Sequence, residues 1–431
     1  MIAYAGCGLC QGAALCLLGY KIIMYKKIAG VLLSASIWLV GCAQAPFHPA
    51  KKSDRSYDSY RGLVMAGYQG WFAAEGDDAG RGFYHYKGGN GFRPGSATID
   101  FWPDVREYEK TYETEFTMPD GKPARVFSSN DPSTVDTHFR WMKEYGLDGV
   151  FMQRFVAEIR GESGKRHFDK VLSSAMDAAN KYDRAICVMY DLSGMMPDEK
   201  KIVPKDMAEL AKKYSLFEHS ENPSYLYHNG KPLVAVWGVG FNDRRKYSVD
   251  DCEEIIDGLI AEGFSVLIGV PTYWREFGRD TENNDKLHEV IRKCDVVMPW
   301  FVGRYDSESY DKFAGLIPGD KRWCDDNGLD YAPLVFPGFS WRNMLKNSKP
   351  IPRDRGAFLQ KQIDGAFNAG ADMLYVAMFD EIDEGTAIFK CATTVPVTEN
   401  DTEFVPIEKG LKSDHYLKIV GKAAKKMKKR K

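Results

Sequence analysis

Short apolar runs alternate along the chain with segments whose apolar positions recur every three or four residues, the pattern of strands followed by amphipathic helices. Leu63-Val64-Met65-Ala66 opens the series. After a long aromatic and Gly-rich insertion, the spacing of Val135, Phe139 and Met142 predicts a helix over 133–145. The strand Gly149-Val150-Phe151-Met152 follows, then a helix over 168–182 and the strand Ala185-Ile186-Cys187-Val188-Met189. A helix over 205–214 leads to Leu233-Val234-Ala235-Val236, and Asn229-Gly230 ahead of that strand signals a hairpin turn.

The second half keeps the rhythm. Helices over 250–262, 285–293 and 355–369 precede strands over 266–269, 296–298 and 373–377. A less regular stretch precedes Pro333-Leu334-Val335-Phe336, and a helix over 413–426 closes the chain. About eight strand-plus-helix units result, and strands that are apolar on both faces suit a closed parallel barrel. No Gly-rich dinucleotide fingerprint follows the first strand, which weakens an open doubly wound sheet. The expectation is an α/β fold, a (β/α)8 TIM-type barrel forming one catalytic domain over 61–431.

The first 42 residues do not fit that rhythm. Lys26 and Lys27 precede an apolar run over 28–40 that ends in Leu39-Val40-Gly41-Cys42, an arrangement resembling a bacterial lipoprotein signal with its lipobox. Cleavage before Cys42 would leave that cysteine to carry the lipid, tethering the protein to the membrane. An uncleaved transmembrane helix is the alternative, but the run is short for a span of roughly 20 residues. The apolar segment over 1–23 is redundant with it, so Met24 is a candidate true start. The polar stretch over 43–60, with Pro46 and Pro49, reads as a linker. The location this implies is the cell envelope, as an outer-membrane lipoprotein on the periplasmic face or the cell surface.

Composition narrows the function classes. With 44% hydrophobic and 27% charged residues the chain can bury a large core. A formal net charge of −2 offers no general attraction to phosphate polymers, and the basic run over 425–431 reads as a solvated helix end, so no nucleic-acid partner is expected. Cys7, Cys10, Cys16 and Cys42 fall in the leader. Cys187, Cys252, Cys294, Cys324 and Cys391 remain, an odd number without a CxxC spacing. They read as buried small hydrophobes or free thiols, with one distant disulfide as the alternative. No metal or cofactor is called for, and a monomer is expected.

In a barrel of this kind, chemistry gathers where the C-terminal ends of the strands open into loops. The residues that follow the strands are Tyr68, Gln69 and Trp71; Gln153 and Arg154; Tyr190 and Asp191; Trp237; Thr272, Tyr273 and Trp274; Trp300 and Arg304; Phe339, Trp341 and Arg342; and finally Asp380-Glu381-Ile382-Asp383-Glu384. Aromatic rings stack on the C–H face of a sugar while fork-shaped polar groups take its hydroxyls, so this rim suits a carbohydrate. A phosphorylated ligand would want clustered cations and Gly-rich helix starts, which are not prominent. The insertion over 75–130 adds Arg81, Phe83, Tyr84, His85, Tyr86 and Trp102, a candidate wall over the same cleft.

Four carboxylates in five positions after a buried strand repel one another, so a purely structural turn seldom chooses them. A solvated acidic loop and a calcium site are the bland readings, though an EF-type spacing is missing. Glycosidic cleavage needs one carboxylic acid and one carboxylate, and Glu381 and Glu384 can supply both from a single turn. Burial and repulsion would raise one pKa and keep that partner protonated.

The stretch FDEIDEGTAI, starting at Phe379, resembles the NEWHEGTQI-type signature of glycoside hydrolase family 99, the endo-α-mannosidases and endo-α-mannanases, and of the related family 71 α-1,3-glucanases. The opening GYQGWF, Ser133-Thr134-Val135-Asp136, Tyr227-His228-Asn229-Gly230-Lys231-Pro232 and Pro337-Gly338-Phe339 support it, over about 61–420. The resemblance implies Glu381 as the base toward the sugar 2-hydroxyl and Glu384 as acid and then base, with a 1,2-anhydro sugar between the two steps and net retention. Asp380, Ile382 and Asp383 replace the signature's Asn, Trp and His, which leaves an α-mannan-type glycan one candidate among several. Two other classes stay open: a lipid-anchored glycan-binding protein on a degenerate barrel, and a metal-dependent hydrolase, for which the eight His of the chain are few.

Overall fold

The computed structural model describes residues 56–218, 222–398 and 402–430. The leader, Cys42 and the linker as far as residue 55 lie outside the described residues. The barrel sheet begins with β1 (Val64–Tyr68), and the insertion after it carries a hairpin of β2 (Tyr112–Thr117) and β3 (Pro123–Val126). There follow α1 (Pro132–Tyr145), β4 (Gly149–Phe155), the short α2 (Val156–Ile159) and α3 (Glu162–Tyr182). Next come β5 (Ala185–Asp191), α4 (Ile202–Lys213), β6 (Tyr227–His228), β7 (Lys231–Trp237), α5 (Val249–Ala261) and β8 (Ser265–Val270). The remainder is α6 (Lys286–Arg292), β9 (Val296–Pro299), α7 (Tyr310–Ala314), α8 (Leu316–Asp326), β10 (Asp330–Tyr331), β11 (Leu334–Val335), α9 (Ala357–Asn368), β12 (Leu374–Val376) and α10 (His415–Lys428).

Local chemistry explains the element ends. Pro132 sits in the first turn of α1, where its missing N–H costs nothing, and Gly146 ends the helix at φ 87°. Ser248 and Asp251 form a reciprocal capping box at the start of α5. Asn229 and Gly230, at φ 48° and 80°, make the tight turn that pairs β6 with β7.

Closure of the barrel depends on one split strand. β1 pairs in parallel with β4 on one side and β12 on the other, and the order continues through β5, β7, β8 and β9 to β10. The segment over 330–335 then changes partners midway: Asp330 and Tyr331 pair with β9, while Leu334 and Val335 pair with β12. Ala332 donates to the Val297 carbonyl at 2.9 Å, and Tyr375 donates to the Pro333 carbonyl at 3.1 Å. Pro333 has no N–H to continue the ladder, so β10 and β11 are two halves of one barrel strand. With it the ring is complete: a (β/α)8 barrel.

Residues ahead of Arg61 already pack into the domain. Tyr60 is fully buried, edge-on to Phe151 at 5.1 Å. Tyr57 donates its hydroxyl to the Asp183 carbonyl at 2.7 Å and accepts from the Tyr227 N–H at 2.9 Å. Cys187, Cys252, Cys294, Cys324 and Cys391 are buried and unpaired. No described helix is long and apolar enough to cross a membrane.

Candidate active site

Successive side chains of a strand point to opposite faces, so each barrel strand sends one set inward and one set toward the helices. Gln153 points inward, since its amide meets the Tyr375 hydroxyl of β12 at 3.2 Å across the barrel. Asp191 and Trp237 are register partners on β5 and β7, and the Trp237 indole meets that of Trp300 at 5.0 Å. Gly269 makes room for this pair: a Cβ there would lie 2.6 Å from the Trp237 ring. Arg245 covers the Trp237 ring at 5.0 Å.

The other set faces away from the mouth. Tyr68 donates to or accepts from His138 of α1 at 2.8 Å. Arg154 and Tyr190 both bind Asp206 of α4, at 2.7 Å. Trp274 is buried against Trp323 of α8 at 4.9 Å and His288 of α6 at 6.0 Å. These four expected sugar contacts therefore lie in the packing between barrel and helices, and cannot reach a ligand in the mouth. Tyr273 is half-buried under the Arg279 guanidinium at 4.2 Å, next to Phe313 of α7.

The acidic turn after β12 is almost entirely enclosed, with Asp380, Glu381 and Asp383 buried. Asp380 accepts from the backbone N–H groups of Gln69 at 2.7 Å and Gly70 at 2.9 Å, clamping the β1 loop to the turn. It is a tie between loops, not a ligand contact. Burial pushes its carboxyl up to about 7 despite those two donors. Glu381 accepts from the Gln69 amide and from the Thr386 hydroxyl. Burial, then the charges of Glu384 and Asp383, hold the Glu381 carboxyl well above its usual range. Burial and Asp383 push Glu384 up to about 8, against an opposing hydrogen bond from Trp341, with Asp191 adding to the rise. Glu381 thus feels the charge of Glu384, and Glu384 that of Asp191, a setting in which one glutamate holds a proton while its partner gives it up.

Trp341, 36% exposed at the rim, reaches Glu384 from the loop after β11. That loop is pinned by Asp100 of the insertion, which accepts from the N–H groups of Arg342 at 2.8 Å and Asn343 at 2.9 Å and from the Ser340 hydroxyl. Trp71 lies flat between His85 at 3.8 Å and Phe155 at 5.0 Å. His85 Nδ1 is 3.0 Å from Asp383 Oδ2, a contact between residues 298 positions apart. Burial drives the His85 imidazole down to about 3 and the Asp383 carboxyl up, both toward the uncharged form.

His85, Asp383, Phe155 and Arg245 are thus parts of the site to which sequence reading gave no individual role. Asp383 was visible within the acidic run, and Phe155 could be placed inward by counting along β4. Nothing local pairs His85 with Asp383. Among the described residues, no group of three or more His, Cys, Asp or Glu side chains is arranged to hold a metal ion.

No family model matches the chain. A glycoprotein endo-alpha-1,2-mannosidase-like protein of Danio rerio is 21% identical over 308 residues, 69% of this chain and 64% of that protein. The glycoprotein endo-alpha-1,2-mannosidase of Mus musculus is 21% identical over 284 residues, 61% of this chain and 55% of that protein. The chain therefore spans less than two thirds of the length of these relatives. The solved GH99 endo-alpha-mannosidase from Bacteroides thetaiotaomicron superposes with a TM-score of 0.61 at 15% identity, over 85% of this chain and 98% of that one. The fold is that of the GH99 enzyme, and in sequence and fold together the chain is similar to glycoside hydrolase family 99.

Proposed function

We propose that the chain is a retaining glycoside hydrolase of the family 99 type, acting on an oligo- or polysaccharide through Glu381 and Glu384. The observation that carries this is the enclosed glutamate pair at the C-terminal end of the last barrel strand, each carboxyl raised by burial and neighbouring charge. Two donors, the Gln69 amide and the Thr386 hydroxyl, favour the ionised form on Glu381, whereas Glu384 has the Trp341 indole. By its place as the first glutamate of FDEIDEGTAI, Glu381 takes the proton from the sugar 2-hydroxyl as O2 attacks C1. The glycosidic C1–O bond breaks, and Glu384 gives its proton to the leaving oxygen. Water then opens the 1,2-anhydro sugar at C1: Glu384 takes the water's proton and Glu381 returns the other to O2, for net retention. An α-mannan-type or other hemicellulosic glycan fits the names of the relatives and the aromatic rim.

Purified protein screened against α-mannans, glucans, xylans and arabinans should release new reducing ends from one of them, and NMR of the first product should give the retained anomer. Glu384→Gln should lower kcat by roughly 10²–10⁴-fold while the protein still unfolds in one cooperative transition. Inversion, or full activity in that variant, removes the mechanism. Saturable binding without cleavage by the wild type points to a glycan-binding protein instead.

The second part of the proposal is the address: lipidation at Cys42 and action at the cell envelope, supported by the lipobox-like Leu39-Val40-Gly41-Cys42. Full-length protein should fractionate with membranes and Cys42→Ser should shift it to the soluble fraction; equal partitioning of the two discards the anchor.

A further inference from the structure

We propose that His85 is a substrate-binding residue, its Nε2 hydrogen-bonding an unsubstituted hydroxyl of a neutral sugar seated beside the glutamate pair. This rests on the glycosidase reading of the same mouth. The imidazole is anchored on one edge and open on the other: Nδ1 faces Asp383, while Nε2 has no partner among the described residues and the side chain is 27% exposed. The buried flank of Trp71 stacks on it at 3.8 Å and 5°, fixing the plane of the ring.

The backbone of His85 is also held in place. Its carbonyl accepts from the Thr98 hydroxyl at 2.6 Å. On one side of it Tyr84 and Arg81 are bound to Glu158 of α2; on the other, Tyr86 donates to the Phe127 carbonyl at 2.9 Å. His85 itself has φ 61°, a left-handed backbone that side chains seldom adopt and that persists only where the surroundings enforce it. Such a conformation is costly for a residue that merely fills space, since many residue types could cover Trp71.

The chemistry of the surroundings selects the ligand. Asp383 lies against the imidazole and is itself felt by Glu381 and Glu384, and Arg81, whose charge acts on His85, is already bound to Glu158. A phosphate, sulfate or uronate would be set against the Asp383 carboxyl. A hydroxyl can accept from or donate to a neutral imidazole, so it fits whichever ring nitrogen bears the hydrogen.

The test compares wild type, His85→Phe and His85→Gln on the glycan that the wild type cleaves and on monodeoxy versions of the sugar next to the scissile bond. Phe keeps the flat stack on Trp71 and removes the nitrogen; Gln restores a polar end. His85→Phe should raise KM about tenfold with kcat little changed, and His85→Gln should recover part of the loss. One monodeoxy substrate should lose about tenfold in kcat/KM with the wild type and nothing further with His85→Phe. Wild-type KM in His85→Phe, or the same deoxy penalty in both proteins, overturns the proposal. If the Phe variant unfolds, the Gln variant against the deoxy series decides alone. A wild type that binds a glycan without cleaving it refutes the hydrolase reading and leaves His85 to be judged by calorimetric affinities of the same variants. A wild type that neither cleaves nor binds any glycan overturns both.

Discussion

Arg154 illustrates how one residue can carry a strong chemical signal and serve packing. Its side chain is fully buried, and its guanidinium forks onto Asp206 with two contacts of 2.7 Å and reaches Asp169 at 2.9 Å. Lys165 at 3.2 Å and the Tyr190 hydroxyl at 2.7 Å complete the shell around Asp206. After opposing burial, these cations and donors hold the Asp206 carboxyl below its ordinary range. Breaking a buried pair from one side leaves an uncompensated charge, which costs about 3–5 kcal/mol, more than the loss of the attraction alone. Arg154→Met should therefore lower unfolding stability by about that amount in urea titrations while kcat and KM of the folded protein stay at wild-type values. A fall in kcat/KM at unchanged stability would place Arg154 in the cleft after all.

At the level of elements, the strands and helices were legible because each unit writes its own period. α1 was expected over 133–145 and runs Pro132–Tyr145; α5 was expected over 250–262 and runs Val249–Ala261. The rim residues were less legible for a physical reason. Taking the residues after each strand as a group ignores the two-residue alternation, so Gln153 and Asp191, which face the barrel interior, were grouped with Arg154 and Tyr190, which face the helices. Counting inward positions along β4 and β5 from the register pairs Phe151 with Cys187 and Gln153 with Met189 would have separated them. The split strand over 330–335 also escaped, because Pro333 breaks its pattern and its two halves serve different neighbours. The hairpin of β2 and β3 lay hidden in an insertion whose folding is decided by contacts with distant loops, such as Asp100 with the loop carrying Trp341.

Across the whole molecule, the fold buries carboxyls and imidazoles alike and so shifts both. Burial is the leading cause that raises Asp380 to about 7, Glu384 to about 8 and Asp320, in α8, to about 7. It also lowers His85 and His138 to about 3 and His167 to about 4. These shifts have opposite consequences for stability. Above pH ~7.5 the three histidines are almost wholly neutral in the folded and unfolded chain alike and contribute almost no slope. The acids are ionised in the unfolded chain yet still hold protons in the fold, so folding binds protons and stability falls as pH rises. For Glu384 that loss begins near the unfolded value of ~4.5 and ends once the pH passes about 8, with a slope of at most about 1.4 kcal/mol per pH unit. The melting temperature should thus decline from pH ~7.5 to ~8.5, in the range where the histidines no longer mask it. Glu384→Gln, which carries no proton to lose, should show a shallower decline than wild type over the same range. Melting curves that stay flat, or that rise with pH, would mean that Asp380 and Glu384 are already ionised at neutral pH, and the glutamate pair would then lack the protonated member that its proposed chemistry requires.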